Sequence, residues 1–155
     1  MENYKIYCDI DGVLTDFDGA YYKLTKIDIR GKHISDDSFW EPIDRAGKDF
    51  WSEMKWKKDG KELWSYIEKY KPELLSAPSQ HVSSRVGKME WVEKNLPNVR
   101  LNLRSSKFKQ DFADKNHILI DDRKDNIKRW NEAGGIGILH TNTKNTVEIL
   151  KKLGL

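Results

Sequence analysis

Tyr4-Lys5-Ile6-Tyr7-Cys8-Asp9-Ile10-Asp11-Gly12 is the stretch on which the fold turns. Tyr4 to Cys8 alternates and is rich in β-formers, which predicts a strand, and it runs without a break into two acids and a glycine. An Asp-Gly pair at a strand end is by itself only a turn. The rest of the chain gives it another meaning. From Asp16 to about Lys26, Phe17, Tyr21 and Leu24 recur at helical spacing, with acids in the first turn. Gly60 starts an amphipathic helix with Leu63, Tyr66, Ile67 and Tyr70 on one face, ending at Lys71-Pro72. Glu73-Leu74-Leu75-Ser76 predicts a short strand, stopped by Ala77-Pro78-Ser79.

Arg85 to Asn95 predicts a second helix with Val86, Met89, Val92 and Leu96 facing inward, and Val99 to Leu103 a third strand. His117-Ile118-Leu119-Ile120 is nearly all apolar, as buried parallel strands are, and leads into Asp121-Asp122. A helix to Ala133, Gly134-Gly135, a strand Ile136–Leu139 and a last helix complete the chain. Strands alternating with helices predict an α/β layered fold with a mainly parallel sheet. Residues 27–59 differ, carrying Phe39, Trp40, Phe50, Trp51 and Trp56 among many charges, with short helical pieces. They predict a small helical cap at 18–58, inserted into a core made of 1–17 and 59–155.

Composition bounds the function. At 155 residues there is length for one domain, and 34% charged with 37% hydrophobic residues suits a globular protein. No run approaches the roughly 20 apolar residues of a membrane span, and the start lacks the pattern of a signal peptide. A single cysteine, Cys8, excludes an internal disulfide framework and leads us to expect a cytoplasmic protein. A net charge of +3 is far from that of a nucleic-acid coat but suits an anionic substrate. His33, His81, His117 and His140 show no ligand spacing, so zinc is not expected. Cys8 is followed by no arginine, which argues against a cysteine phosphatase and for a small buried strand residue.

In parallel sheets, ligands bind where strands end. Asp9 and Asp11, Ser76, and Asp121 with Asp122 all fall at predicted strand ends. Two like charges at ~4 Å cost about 4 kcal/mol at an effective dielectric near 20, so this cluster calls for a cation. Carboxylate oxygens favour Mg²⁺.

These residues resemble the HAD (haloacid dehalogenase-like) phosphatases. Asp9-Ile10-Asp11-Gly12-Val13-Leu14-Thr15-Asp16 is similar to their opening DxDGVLxD motif, Ser76 after Glu73-Leu74-Leu75 to their second, and Ile118-Leu119-Ile120-Asp121-Asp122-Arg123 to their fourth. Gly87-Lys88-Met89-Glu90-Trp91-Val92 resembles the lysine-bearing helix of the 5′(3′)-deoxyribonucleotidase branch. The resemblance implies a Rossmann-like three-layer core and an enzyme that hydrolyses phosphomonoesters. Asp9 would be the nucleophile and Asp11 the general acid and base, with Mg²⁺ held by Asp9, the Asp11 carbonyl and Asp122, and Asp121 assisting. Ser76 and the backbone at Ala77 would bind phosphate oxygens, and a lysine would neutralise developing charge.

Lys88, Arg104, Lys107 and Lys109 compete for that last role; Lys88 is expected to open its helix, and Lys109 is preferred. Phe17, Phe50, Trp51 and Trp56 are candidates to stack on a nucleobase, against the reading that they form the core of the cap. The expected substrate is a small phosphomonoester, a nucleoside monophosphate first, with no membrane partner and a homodimer allowed. Two alternatives stay open: a 3′-phosphatase of nucleic-acid ends, and a catalytically weak binding or regulatory module on the same fold.

Overall fold

A computed structural model of the chain describes residues 3–30 and 37–155, so His33 lies outside the described residues. In chain order the elements are β1 (Lys5–Cys8), α1 (Phe17–Thr25), α2 (Asp37–Ala46), α3 (Lys48–Ser52) and α4 (Gly60–Ile67), which runs into a 3-10 turn at Glu68–Tyr70. Then come β2 (Glu73–Ser76), α5 (Val82–Asn95), β3 (Leu101–Leu103), a 3-10 helix at Ser106–Phe112, β4 (His117–Asp121), α6 (Lys124–Glu132), β5 (Ile136–Leu139) and α7 (Thr143–Lys152).

The five strands form one sheet in the order β3-β2-β1-β4-β5, every neighbouring pair parallel. The expected α/β class with a parallel sheet is therefore what the chain adopts. Register follows the apolar runs: Ile6 lies opposite Ile118, Tyr7 opposite Leu119 and Cys8 opposite Ile120. Both faces of the central strands are buried. Tyr7, Leu75 and Leu119 pack with Ile127 and Trp130 of α6 on one face, while Ile6, Cys8, Leu74, Ile118 and Ile120 close the other. Burial on both faces is why β4 reads as a nearly continuous apolar run.

The chain gathers into two compact units. The first holds 1–15, 56–77 and 99–155 and contains the whole sheet; the second holds 16–55 and 78–98. In the first unit the turn after β1 is fastened from below by the segment leading to α4. Lys57 N–H donates to Leu14 O at 2.7 Å, Thr15 bridges to Trp56, and a Cβ on Gly60 would meet Leu14 O at 2.5 Å.

In the second unit α1 is capped by Asp16, whose carboxylate accepts from Gly19 N–H, and α3 packs along α5. Of the expected inward face of α5, Val92 and Leu96 are buried, while Val86 and Met89 need correction. The helix starts at Val82, with Val86 and Met89 39% and 58% exposed, while Ser83, Ser84, Gly87, Lys88, Trp91 and Val92 are buried. The reason is close packing. A Cβ on Gly87 would lie 2.4 Å from Lys48 O and 2.5 Å from Trp51 Cβ, so α3 sits against a face of small side chains that hydrophobic periodicity does not mark. Trp91 completes that face by donating its indole N–H to Met54 O at 2.8 Å.

Candidate active site

Adjacency in the sheet brings the acids together. β1 and β4 are in register up to Cys8 and Ile120, and Asp9 N–H donates to Ile120 O at 2.9 Å, so Asp9 and Asp121 emerge side by side. The 3-10 helix before β4 delivers Lys109 between them: its ammonium donates to Asp9 Oδ1 at 3.1 Å and to Asp121 Oδ2 at 2.8 Å. All three side chains are buried, with Asp9 6%, Lys109 2% and Asp121 0% exposed. Asp121 also accepts from Arg123 N–H at 2.9 Å and from Asn126 Nδ2 at 3.1 Å, which locks its rotamer. Asp122, the next residue, is exposed, and Asp9, Asp121 and Asp122 each offer an oxygen within 4.8 Å of the others.

The electrostatics follow from burial and crowding. Burial pushes the Asp9 carboxyl well above the usual range; Lys109 opposes this, while the charges of Asp121, Asp122 and Asp11 add to it. For Lys109, burial alone would lower the ammonium, but the two carboxylates on either side outweigh it and hold the group protonated. Crowding by protein atoms, then the charge of Asp121, raises Asp122 to about 6. Three carboxylates face one ammonium here, three minus one, a formal excess of two negative charges. A hard divalent cation relieves that excess, and an all-carboxylate donor set fits Mg²⁺. Gly12 makes room for the Asp122 carboxylate: at φ +82° it takes a backbone shape that favours glycine, and a Cβ there would lie 2.1 Å from Asp122 Oδ2.

The remaining candidates differ in how near they come to these acids. Asp11 is half-buried and accepts from Thr15 Oγ1 at 2.9 Å, its carboxylate standing outside the cluster of three. Ser76 closes β2 beside β1 and is 1% exposed; its carbonyl accepts from Arg104 N–H at 3.0 Å, and Ala77 follows it half-buried. The Arg104 side chain is paired with Asp111, and Lys107 is exposed, so of the basic loop residues only Lys109 reaches the acids. Trp56, half-buried, is bridged through its backbone to Thr15.

Lys88 belongs to the second unit, and its expected place at a helix start is corrected: α5 begins six residues earlier, so Lys88 sits mid-helix. It is 2% exposed, its ammonium 4.7 Å from the Trp51 ring centroid. Trp51, 4% exposed, is enclosed by Phe17 at 5.8 Å and Phe50 at 5.1 Å, so it is core within this unit; Phe17 and Phe50 are half-buried. Cys8 is a buried thiol, raised by burial and then by the Asp9 charge, and therefore no nucleophile. His140 is buried as neutral imidazole, lowered to about 4 by burial, with Nδ1 2.7 Å from Thr146 Oγ1.

Two contributors escaped the sequence reading. Asn126 holds Asp121, and Arg129 holds Asn126: its Nη2 donates to Asn126 Oδ1 at 2.7 Å and to Ser106 O at 3.2 Å, tying α6 to the helix that carries Lys109. A polar residue one helical turn beyond Asp122 was the available signal for Asn126. Arg129 had none.

Two tests arise directly. Gly12→Ala is expected to cost about 1–2 kcal/mol through its left-handed backbone and to displace the Asp122 carboxylate. Thermal melts and Mg²⁺ titration check both, and an unchanged metal affinity would count against the cluster. The second uses Asp122→Asn. A carboxyl raised in the folded state favours the fold below the unfolded value of about 4, and that contribution is lost as pH rises through about 6. Without metal at pH 8, Asp122→Asn should therefore be the more stable protein. The gain is about 1 kcal/mol once solvent screening of the exposed carboxylate is counted, and it should shrink on acidification to pH 5. Added Mg²⁺ should stabilise the wild type and not the variant; melts with and without metal across that range decide it.

No protein-family model and no curated protein sequence matches the chain. Solved structures share its fold. A hydrolase from Streptococcus pneumoniae TIGR4 superposes with a TM-score of 0.60 at 14% identity, covering 97% of this chain and 100% of that one. A predicted phosphatase from Clostridium acetobutylicum gives 0.61 at 16% identity, with 100% of each chain covered. A HAD family enzyme from Bacteroides thetaiotaomicron, in complex with magnesium and inorganic phosphate, gives 0.50 at 16%, covering 91% and 96%. The chain thus has the Rossmann-like fold of HAD hydrolases. No helix among the described residues is long and apolar enough to cross a membrane.

Proposed function

We propose that this chain is a Mg²⁺-dependent phosphomonoester hydrolase with Asp9 as nucleophile and a nucleoside monophosphate as substrate. The observation that carries the reading is the buried Asp9–Lys109–Asp121 constellation beside Asp122, built where adjacent parallel strands end. A buried lysine held charged against two acids is a costly arrangement for stability alone, and such perturbed clusters mark functional sites.

The chemistry divides among the chain's own groups. Asp9 forms a bond to phosphorus as the ester oxygen leaves, and Asp11 protonates that oxygen, giving the alcohol and an aspartyl-phosphate. Asp11, now a carboxylate, takes a proton from water, whose oxygen attacks phosphorus; phosphate leaves and Asp9 is regenerated. Thr15 fixes the Asp11 carboxylate through its hydroxyl. Lys109 offsets charge at Asp9, and Ser76 with the backbone at Ala77 binds phosphate oxygens. Mg²⁺, when held by Asp9, Asp122 and the Asp11 carbonyl with Asp121 in support, supplies the positive charge that lets two anions approach.

The nucleotide assignment rests on the resemblance of residues 87–92 to the deoxyribonucleotidase helix, and on the half-buried Phe17 and Phe50 of the second unit. Phosphate release measured across deoxynucleotides, ribonucleotides, sugar phosphates and a 3′-phosphorylated oligonucleotide tests it. Turnover of nucleotides in Mg²⁺ and none in chelator supports the whole reading. Turnover of sugar phosphates or oligonucleotide ends alone overturns the substrate, and turnover in chelator overturns the mechanism.

A further inference from the structure

At the edge of the sheet where the strands begin, away from the acids, the first unit carries a groove of about 600 Å³. That lies within the range of about 300–1,000 Å³ typical of ligand sites. Its inner wall includes Tyr7, 7% exposed, with its ring among those of Phe112, His117 and Trp130 at 5.6–5.7 Å. The Tyr7 hydroxyl bonds to none of the described residues and is open to solvent in the groove. Tyr4 and Tyr70 add two further phenol rings.

Charge converges there as well. Lys71 and Lys115 line the groove and make no ion pair with described residues, whereas Lys5 is committed to Glu73 at 2.6 Å. The acid in the lining, Asp114, accepts from Lys115 N–H at 2.7 Å. Lys71 is held at φ 52° and ψ 57°, a left-handed conformation disfavoured for any non-glycine residue and again for one preceding a proline, here Pro72. It closes the 3-10 turn there, its N–H donating to Glu68 O at 3.0 Å, which fixes where the side chain leaves the backbone.

We propose that this groove is a second ligand site, for a small aromatic anion: the ring beside Tyr4 and Tyr70, the negative group met by Lys71 and Lys115, and an acceptor atom on the Tyr7 hydroxyl. It does not depend on the reaction assigned to the acids. The probe is 1-naphthalenesulfonate, which carries ring and charge but no phosphoester, with inorganic sulfate as the charge alone. Binding is followed by calorimetry and by backbone amide shifts on the full chain, without metal. Saturable binding is expected, with shifts at residues 4–7, 70–71 and 114–117. The Lys71→Glu/Lys115→Glu double variant should weaken it by about tenfold or more and Tyr7→Phe by about threefold, while Asp9→Asn leaves it unchanged. Both lysines are exposed, so the double variant keeps its core. Equal affinity in that variant, shifts centred on Asp9 and Asp121, sulfate binding as tightly as the probe, or no saturable binding in the millimolar range would each overturn the site.

Discussion

Asp9→Asn is expected to lower phosphate release by roughly 10⁴–10⁶-fold, the loss that accompanies removal of a nucleophile, while the protein stays folded. The two halves of this result have separate causes. The amide cannot attack phosphorus, so the covalent route closes. Yet the substitution removes one acid from a cluster with an excess of them, and Lys109 keeps Asp121 at 2.8 Å, so its buried charge remains paired. Calorimetry of the variant beside its phosphate-release assay, each in Mg²⁺ and in chelator, reads both. Substantial activity in a folded Asp9→Asn protein would falsify the nucleophile assignment. A collapse of stability would instead show Asp9 to be an element of the fold first.

Lys109→Met is expected to fail in the opposite pattern, losing stability as well as turnover. The ammonium is the only cation within hydrogen-bonding distance of Asp9 and Asp121 among the described residues. Without it, two buried carboxylates face each other, and breaking such a buried pairing costs about 3–5 kcal/mol. For a chain of this length that is a fall in melting temperature of roughly 10 °C. Because the repulsion needs both acids ionised, stability should recover partly as pH falls, and partly with added Mg²⁺. Neutralising all three residues together (Asp9→Asn, Lys109→Met, Asp121→Asn) should cost less than removing Lys109 alone. A Lys109→Met protein as stable as the wild type at neutral pH would mean that the acids do not depend on it.

Both experiments concern residues that differ in how far they could be read from the chain. Asp9 and Asp121 were legible because an alternating run of β-formers precedes the first and an apolar run the second, and the acids come next with nothing between. Lys109 was one of several basic residues in a loop, and its neighbours Arg104 and Lys107 had the same composition and similar positions. What separates them is the 3-10 helix Ser106–Phe112, which turns Lys109 inward and leaves Lys107 exposed. In α5 the expectation failed at Val86 and Met89, though not at Val92 and Leu96, for a related reason. Val86 and Met89 mark an apolar stripe, but the packed face is Ser83, Ser84, Gly87 and Lys88, because α3 approaches too closely for larger side chains.

By itself, then, the order of residues determined the alternation of strands and helices, the parallel sheet, and the acids that end β1 and β4, since periodicity and strand-end chemistry are local properties. Tertiary structure decided which of those acids share a cation, which lysine stands between them, and that Asn126 and Arg129 brace the arrangement. Those choices depend on side chains about 100 residues apart in the chain, Asp9 and Lys109, meeting in a space that only the packed sheet and its flanking helices define.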